Sequence, residues 1–223
     1  MKRRLLNIFA FVAITTTVVS CKDKAKEVNT SEAETVAVSE GASQKYAVNV
    51  AESNVAWIGS KPTGSHNGTI NIETGVFNTK DGQIESGTFL IDMKSIVALD
   101  LEGTMKDNLE AHLKGTVEGK EDHFFNVEQF PTGAFEITGA KVMEDGKTVL
   151  SGNLSLKDIK HNISFAVTVT ENGDMMTITS DTFSIDRTKW NINYGSKSIF
   201  DDLGDKFVND KIELTLTLKA KKA

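Results

Sequence analysis

The chain has 223 residues, with 25 basic and 31 acidic side chains and a formal net charge of −6. This acidic balance argues against nucleic acid or anionic lipid headgroups as the main partner. The single cysteine, Cys21, excludes a disulfide framework, so the fold must be held together by its hydrophobic core.

The N-terminus has the organisation of a bacterial lipoprotein signal peptide. A basic cluster at residues 2–4 precedes the run LLNIFAFVAITTTVV, which is shorter than the ~20 apolar residues of a membrane span. The sequence Val18-Val19-Ser20-Cys21 resembles the lipobox, where the cysteine receives a diacylglycerol before the signal peptide is removed. We expect a signal peptide at residues 1–20. The mature protein is then anchored through acylated Cys21 in the bacterial cell envelope, at the periplasmic face or the cell surface.

Residues 22–43, KDKAKEVNTSEAETVAVSEGAS, are rich in charge, serine, threonine and alanine and contain no aromatic residue. Such a composition buries too little apolar surface to order itself. We therefore expect residues 21–43 to be the acylated cysteine and a disordered tether, followed by one folded domain at residues 44–223.

The folded part reads as a series of half-buried strands. In NISFAVTVT, Ile163, Phe165, Val167 and Val169 alternate with small and polar residues, and KIELTLTLK repeats this pattern. Similar runs separated by turn sequences such as KDGQ, EDGK and ENGD occur along the chain. They are SNVAWIGS, GTINIETG, QIESGTFLIDM, GAFEITGAKV, TVLSGNLSLK and DMMTITSDTFSI.

Only MKDNLEAHLKG has a clear helical pattern, with Met105, Leu109 and Leu113 on one face and Gly115 as a stop. A shorter turn is expected at SIFDDLGDKF. Because one helix cannot cover eight strands, their apolar faces must meet in a sandwich or a closed barrel. The sequence thus predicts an all-β antiparallel barrel of about eight strands with one or two short helices. A barrel of this size is filled by side chains or holds one small ligand.

No catalytic or metal-binding motif is recognisable in the chain. It lacks a G-x-S-x-G elbow, an H-E-x-x-H pair, a Walker A loop and a G-x-G-x-x-G sequence. Its histidines are too widely spaced to indicate a metal site, and they are His66, His112, His123 and His161. We therefore expect a protein that is not an enzyme and has no resident metal.

Five segments, taken in order, carry a resemblance to a known family. The most specific is LEAHLK followed by FFNVEQFPTGAFEIT, a helix end followed by aromatic residues, an aromatic-proline pair and a strand. The others are SNVAWIGSKPTGSHNGTINIETG, GQIESGTFLIDMKSI, LSGNLSLKDIKHNISFAVTV and FSIDRTKWNI. Together they resemble the YceI-like family of polyisoprenoid-binding proteins. Two departures are the segment GTVEGKED before the aromatic pair and the glycine-free turn KDIKH.

The resemblance implies a lipocalin-like barrel with an apolar tunnel for an isoprenoid lipid, such as a prenyl diphosphate or a quinone. On this interpretation the tunnel wall is formed by Trp57, Ile70, Phe89, Phe135, Leu154, Phe165, Val167 and Phe183. The candidates for the polar end, where a headgroup needs a donor or a cation, are His66, His112, Arg187 and Trp190.

Two functions remain open at this point, and an envelope enzyme ranks third because no nucleophile or metal signature stands out. In the first, the barrel binds an amphiphilic isoprenoid or related lipid and carries or sequesters it in the envelope. In the second, the apolar residues pack a dry core, and the outer surface of a filled barrel docks a protein partner.

Overall fold

The computed structural model describes residues 25–223, so the expected signal peptide and Cys21 lie outside the described residues. Within this range the chain forms twelve strands and one α-helix, α1. In chain order they are β1 Lys26–Glu27, β2 Thr30–Glu32, β3 Gln44–Val48, β4 Asn54–Lys61, β5 Gly64–Lys80, β6 Gln83–Ala98, α1 Gly103–Lys114, β7 Thr132–Val142, β8 Thr148–Leu156, β9 Ile159–Asn172, β10 Met175–Ser180, β11 Phe183–Asp186 and β12 Lys211–Lys222.

Eight antiparallel strands, β4 to β10 and β12, form a hydrogen-bonded ring that closes between β4 and β12. This confirms the predicted all-β barrel of about eight strands. Alternate residues of each strand point inward, as the period-two pattern indicates: Ile163, Phe165 and Val167 of β9 are all buried. The apolar faces therefore meet inside the ring.

The two ends of the barrel differ in their connections. At the mouth end lie the β4–β5 hairpin, the β6–β7 connection that contains α1, the β8–β9 turn and residues 187–210. At the closed end lie the short β5–β6, β7–β8 and β9–β10 turns and the end of β12. The long connections, which carry most of the aromatic and charged loop residues, thus gather at the mouth end.

Helix α1 lies close to the predicted position. Leu109 and Leu113 pack against the core, and the helix ends at Gly115, which adopts the left-handed conformation with φ 73°. Met105 does not join this face, because 68% of its surface is exposed. The helix therefore covers the barrel mainly with its second half.

The structure differs from the expected disordered tether. Residues 25–43, which we call the N-terminal strap, lie along the outside of the barrel. Strand β1 pairs in parallel with β11, and β2 pairs with the part of β9 that extends beyond its pairing with β10. Val28 between them is buried in the core. The strap is ordered because it saturates the backbone groups of two free strand edges, a source of stability that polar composition does not reveal.

The second half of the strap crosses the outer face of β8, β7 and β6. The Glu34 amide donates to Oδ1 of Asn153 at 2.9 Å, and Nδ2 of Asn153 donates to the Glu34 carbonyl at 2.7 Å. Further along, the Ala37 amide donates to the Ile137 carbonyl at 2.9 Å. Asn153 is buried, and its side-chain amide forms the pair of hydrogen bonds with the Glu34 backbone that a neighbouring strand would form.

The glycine-free turn joins β8 and β9 in two residues. Lys157 and Asp158 both have positive φ, 47° and 61°, which is the conformation that a two-residue hairpin requires. Most side chains adopt this conformation only at a cost. The turn therefore keeps the hairpin register at some expense of stability.

Candidate ligand-binding cavity

A cavity of about 360 Å³ occupies the mouth half of the barrel. It is bounded by β4, β5, β6, β8, β11, β12 and α1, and it reaches the surface beside the exposed side chains of Lys61 and Lys206. The residues that line it are Val55, Trp57, Gly59, Ser60, Lys61, Gly64, His66, Ile70, Ile91, Met93, Ile96, Leu109, His112, Leu113, Phe124, Phe125, Leu154, Leu156, Ile185, Arg187, Ile192, Tyr194, Lys206, Val208, Asn209, Ile212 and Leu214.

The walls are apolar because the inward positions of the strands are apolar. Strand β6 contributes Ile91, Met93 and Ile96, and β12 contributes Ile212 and Leu214. Binding pockets for small molecules commonly have volumes of 300–1,000 Å³, apolar walls and a few polar groups. This cavity meets that description and suits a hydrocarbon chain far better than a sugar or a nucleotide.

The indole of Trp57 lies flat on the neighbouring strand. Its partner across the β4–β5 pair is Gly68, and a Cβ atom there would be 2.6 Å from Cζ2 of Trp57 and 1.8 Å from the Val97 carbonyl oxygen. Only glycine leaves room for the ring and for this close backbone approach. Gly68 thus lets the tryptophan shape the cavity wall.

Below the cavity, four buried phenylalanines form a layer that we call the phenylalanine floor: Phe89, Phe135, Phe165 and Phe183. Phe89 and Phe135 are directly paired across β6 and β7. The ring centroids of Phe135 and Phe165 are 5.5 Å apart, and those of Phe165 and Phe183 are 4.3 Å apart in a stacked arrangement. None of the four lines the cavity, so the open space ends above them.

An aromatic cluster closes one side of the mouth. His112 of α1 lies with Nε2 at 2.7 Å from Nδ1 of His123, and the ring of Tyr194 is 4.8 Å and 4.3 Å from the two imidazoles. Burial lowers the pKa of His112, and the charges of His123 and Lys120 lower it further. A single proton between Nε2 of His112 and Nδ1 of His123 therefore forms the hydrogen bond that both nitrogens need. A proton on each of these two nitrogens would place two positive charges in contact.

Also at the mouth, His66 is fixed by an acidic partner. Its Nδ1 lies 2.9 Å from Oδ2 of Asp100, whose Oδ1 accepts the Asn67 amide at 3.1 Å. Burial acts to raise the pKa of Asp100, but the hydrogen bonds from His66 and Asn67 outweigh it and lower the pKa. Because Nδ1 serves the carboxylate, Nε2 of a neutral His66 is an acceptor and donates only when the ring is protonated.

The two remaining polar candidates, Arg187 and Trp190, donate hydrogen bonds to backbone carbonyls. The Arg187 side chain is 1% exposed, and it donates to the carbonyls of Asn209, Ile192, Tyr194 and Val208. These contacts leave it little capacity for a diphosphate and assign it to organising residues 187–210. Trp190 is fully buried, and its Nε1 donates to the Leu154 carbonyl at 3.0 Å. Trp190 lies outside the cavity lining.

The twelve candidates thus divide evenly by location. Those that line the cavity are Trp57, His66, Ile70, His112, Leu154 and Arg187. Those that lie outside the lining are Phe89, Phe135, Phe165, Val167, Phe183 and Trp190. A role in ligand binding stays a prediction for the first set. For the second set, the structure gives roles in packing, since they are buried without reaching the open space.

Several lining residues were missed by the sequence analysis. Lys61 is the last residue of β4, whereas Tyr194, Lys206 and Asn209 lie in the connection between β11 and β12, which has no periodic pattern. Within residues 25–223, neither lysine forms an ion pair. The signal that could have found them is their position in the loops between predicted strands, where binding residues concentrate.

Fold and cavity together define an antiparallel barrel of the type that holds one small ligand. The sequence profile of the YceI-like domain matches residues 46–220, and the chain therefore belongs to the YceI-like family. The N-terminal strap, residues 25–43, precedes the matched region, which begins within β3. No curated protein matches the sequence significantly.

Solved structures show the same fold. BcnA from Burkholderia cenocepacia is 20% identical, with a TM-score of 0.57 over 78% of this chain and 99% of that chain. A polyisoprenoid binding domain from Saccharophagus degradans, implicated in plant cell wall breakdown, is 12% identical, with a TM-score of 0.56 over 80% of this chain and 98% of that chain.

No helix within residues 25–223 is both long and apolar enough to cross a membrane. No cluster of three or more His, Cys, Asp or Glu side chains in the same range is arranged to hold a metal ion.

Proposed function

We propose that this protein binds an amphiphilic isoprenoid or related lipid, of polyprenyl phosphate or quinone type, and carries or sequesters it in the bacterial envelope. The observation that carries this proposal is the apolar cavity of about 360 Å³, closed at one end and lined by polar side chains at its mouth. The polyisoprenoid binding domain of the Saccharophagus protein, which shares the fold, supports the same ligand class.

The binding energy comes from burial of the chain. Each buried methylene contributes ~0.8 kcal/mol, so about ten of them supply ~8 kcal/mol before the costs of association are subtracted. The mouth then selects the headgroup. Lys61 and Lys206 offer cationic donors for an anion, whereas Asn209 offers a neutral side chain suited to a carbonyl or hydroxyl.

We place the protein on the membrane through acylation of Cys21 after removal of residues 1–20, and we propose no enzymatic activity. The lipid anchor is tested by growth with a labelled fatty acid. The wild-type protein takes up label and the Cys21→Ala variant does not. Label-free wild-type protein would remove the anchor from the proposal without affecting the cavity.

The ligand is tested with residues 22–223, which keep the strap, produced in the periplasm of a quinone-making bacterium. Native mass spectrometry should find a lipid or isoprenoid at about one per chain, and extraction identifies it. Protein that leaves the cell empty and ignores added quinones and prenyl phosphates would refute the proposal. It would favour the alternative, a barrel that is filled by side chains and docks a protein on its outer surface. The lower half of this barrel is already filled by side chains.

A further inference from the structure

We infer that the phenylalanine floor limits the ligand to a chain about as long as one membrane leaflet, so that a long polyprenyl chain does not fit inside. This inference rests on the proposed function and deepens it by naming the length of the ligand. Phe165 is the central residue, because its ring contacts Phe135 on one side and Phe183 on the other.

The depth of the cavity follows from its wall. On β4 the lining runs from Val55 to Lys61, six residues apart. At about 3.3 Å per residue and a strand tilt near 40°, this corresponds to a depth of about 15 Å. The hydrocarbon core of a bilayer is about 30 Å thick, so a chain that fills one leaflet has about the same length.

Two rings of the floor pack at their sides against glycines of the adjacent strands, which leave room for them. A Cβ atom on Gly152 would lie 2.3 Å from Cζ of Phe135, and one on Gly75 would lie 2.7 Å from Cδ1 of Phe89. Each ring therefore already occupies the space that a side chain of the adjacent strand would fill. Sideways displacement of these rings would push them into backbone.

The floor is also supported from below. The rings of Tyr46 and Phe77 are stacked with centroids 5.2 Å apart, and Phe77 lies 6.2 Å from Phe89. Both are at most 1% exposed, and the Tyr46 hydroxyl donates to Glu171 at 2.9 Å. A chain that pushed through the floor would meet a second, fully packed aromatic layer.

The test uses geraniol, farnesol, geranylgeraniol and the much longer solanesol, which share one headgroup and differ in chain length. Binding is followed by native mass spectrometry and by the fluorescence of Trp57, which lines the cavity. Affinity should rise about fourfold for each further methylene that is buried. It should then level off, so that solanesol binds no more tightly than geranylgeraniol.

Phe165→Ala and the milder Phe165→Leu should extend the rise to longer chains by opening the floor. Phe77→Leu, the same type of change in the layer below, should leave the limit where it is. Wild-type protein that binds solanesol far more tightly than geranylgeraniol would overturn the inference and keep the proposed function. A limit that Phe165 variants do not move would also overturn it. If folded protein binds none of the alcohols, the proposed function fails and the length limit with it.

Discussion

The contact between the N-terminal strap and the barrel can be tested by replacing Asn153 with alanine. The Asn153 side chain makes three hydrogen bonds. Two join the backbone of Glu34, and in the third Nδ2 of Asn162 donates to Oδ1 of Asn153 at 3.1 Å. At about 1 kcal/mol for each hydrogen bond, Asn153→Ala should lower the free energy of unfolding by about 3 kcal/mol.

Two of these three bonds depend on the strap, which makes a thermodynamic cycle informative. In a chain that begins at Gly41 and therefore lacks Glu34, Asn153→Ala should cost only about 1 kcal/mol, the value of the bond from Asn162. The difference of about 2 kcal/mol is the coupling energy between Asn153 and the strap. The shortened chain still contains the whole family match, residues 46–220.

Urea unfolding of the four proteins, read from tryptophan fluorescence, gives each free energy directly. Ser151→Ala is the matched control. Ser151 lies on the same strand as Asn153, its hydroxyl is 2.7 Å from the Ser164 hydroxyl on β9, and within residues 25–223 it forms no hydrogen bond to the strap. It should therefore cost the same in both chain lengths. An Asn153→Ala cost that is equal with and without the strap would refute the view that Asn153 holds the strap.

Three further predictions concern single positions. Gly68→Ala should lower the unfolding free energy in urea by about 3 kcal/mol or more, because the new Cβ atom would lie 1.8 Å from the Val97 carbonyl oxygen. Gly139→Ala, with open space around it, should stay within about 0.5 kcal/mol. Asp158→Gly should raise the unfolding free energy by about 0.5 kcal/mol, because glycine adopts the positive φ of this position without strain. A variant less stable than the wild type would contradict the view that Asp158 is strained. Because the pKa of His112 is lowered in the folded state, protons bind the unfolded chain preferentially below pH ~6.5. Stability should therefore fall from pH 7.5 to pH 5.5, and His112→Gln should flatten that fall. An unchanged slope would exclude His112 as its source.

Sequence pattern predicted the barrel well because burial on one face imposes strict alternation. The segments around Trp57 and Phe165 lie in strands of the ring as expected. Alternation tells which residues point inward, but it carries no information about their height along the barrel. Phe89 and Ile91, which are alternate inward residues of β6, therefore looked alike in sequence, although only Ile91 reaches the cavity.

Other features depend on partners that are distant along the chain. Arg187 resembles a ligand-binding cation until the carbonyls of Val208 and Asn209 are seen to accept its hydrogen bonds. The strap contains no amphipathic pattern, because its stability comes from backbone pairing with β9 and β11 and from the side chain of Asn153. Such contacts are tertiary, and local composition cannot indicate them.

The strap also changes how far the barrel can travel. With the proposed anchor at Cys21, only five residue steps separate the membrane surface from Lys26, the first residue that pairs with the barrel. At about 3.5 Å per residue the reach is at most ~18 Å, whereas a free leash extending to Gln44 would allow ~80 Å. A short leash keeps the domain within one molecular diameter of the lipid surface and raises the effective concentration of membrane cargo around it. With the proposed anchor, exchange with one membrane is thereby favoured over shuttling between two.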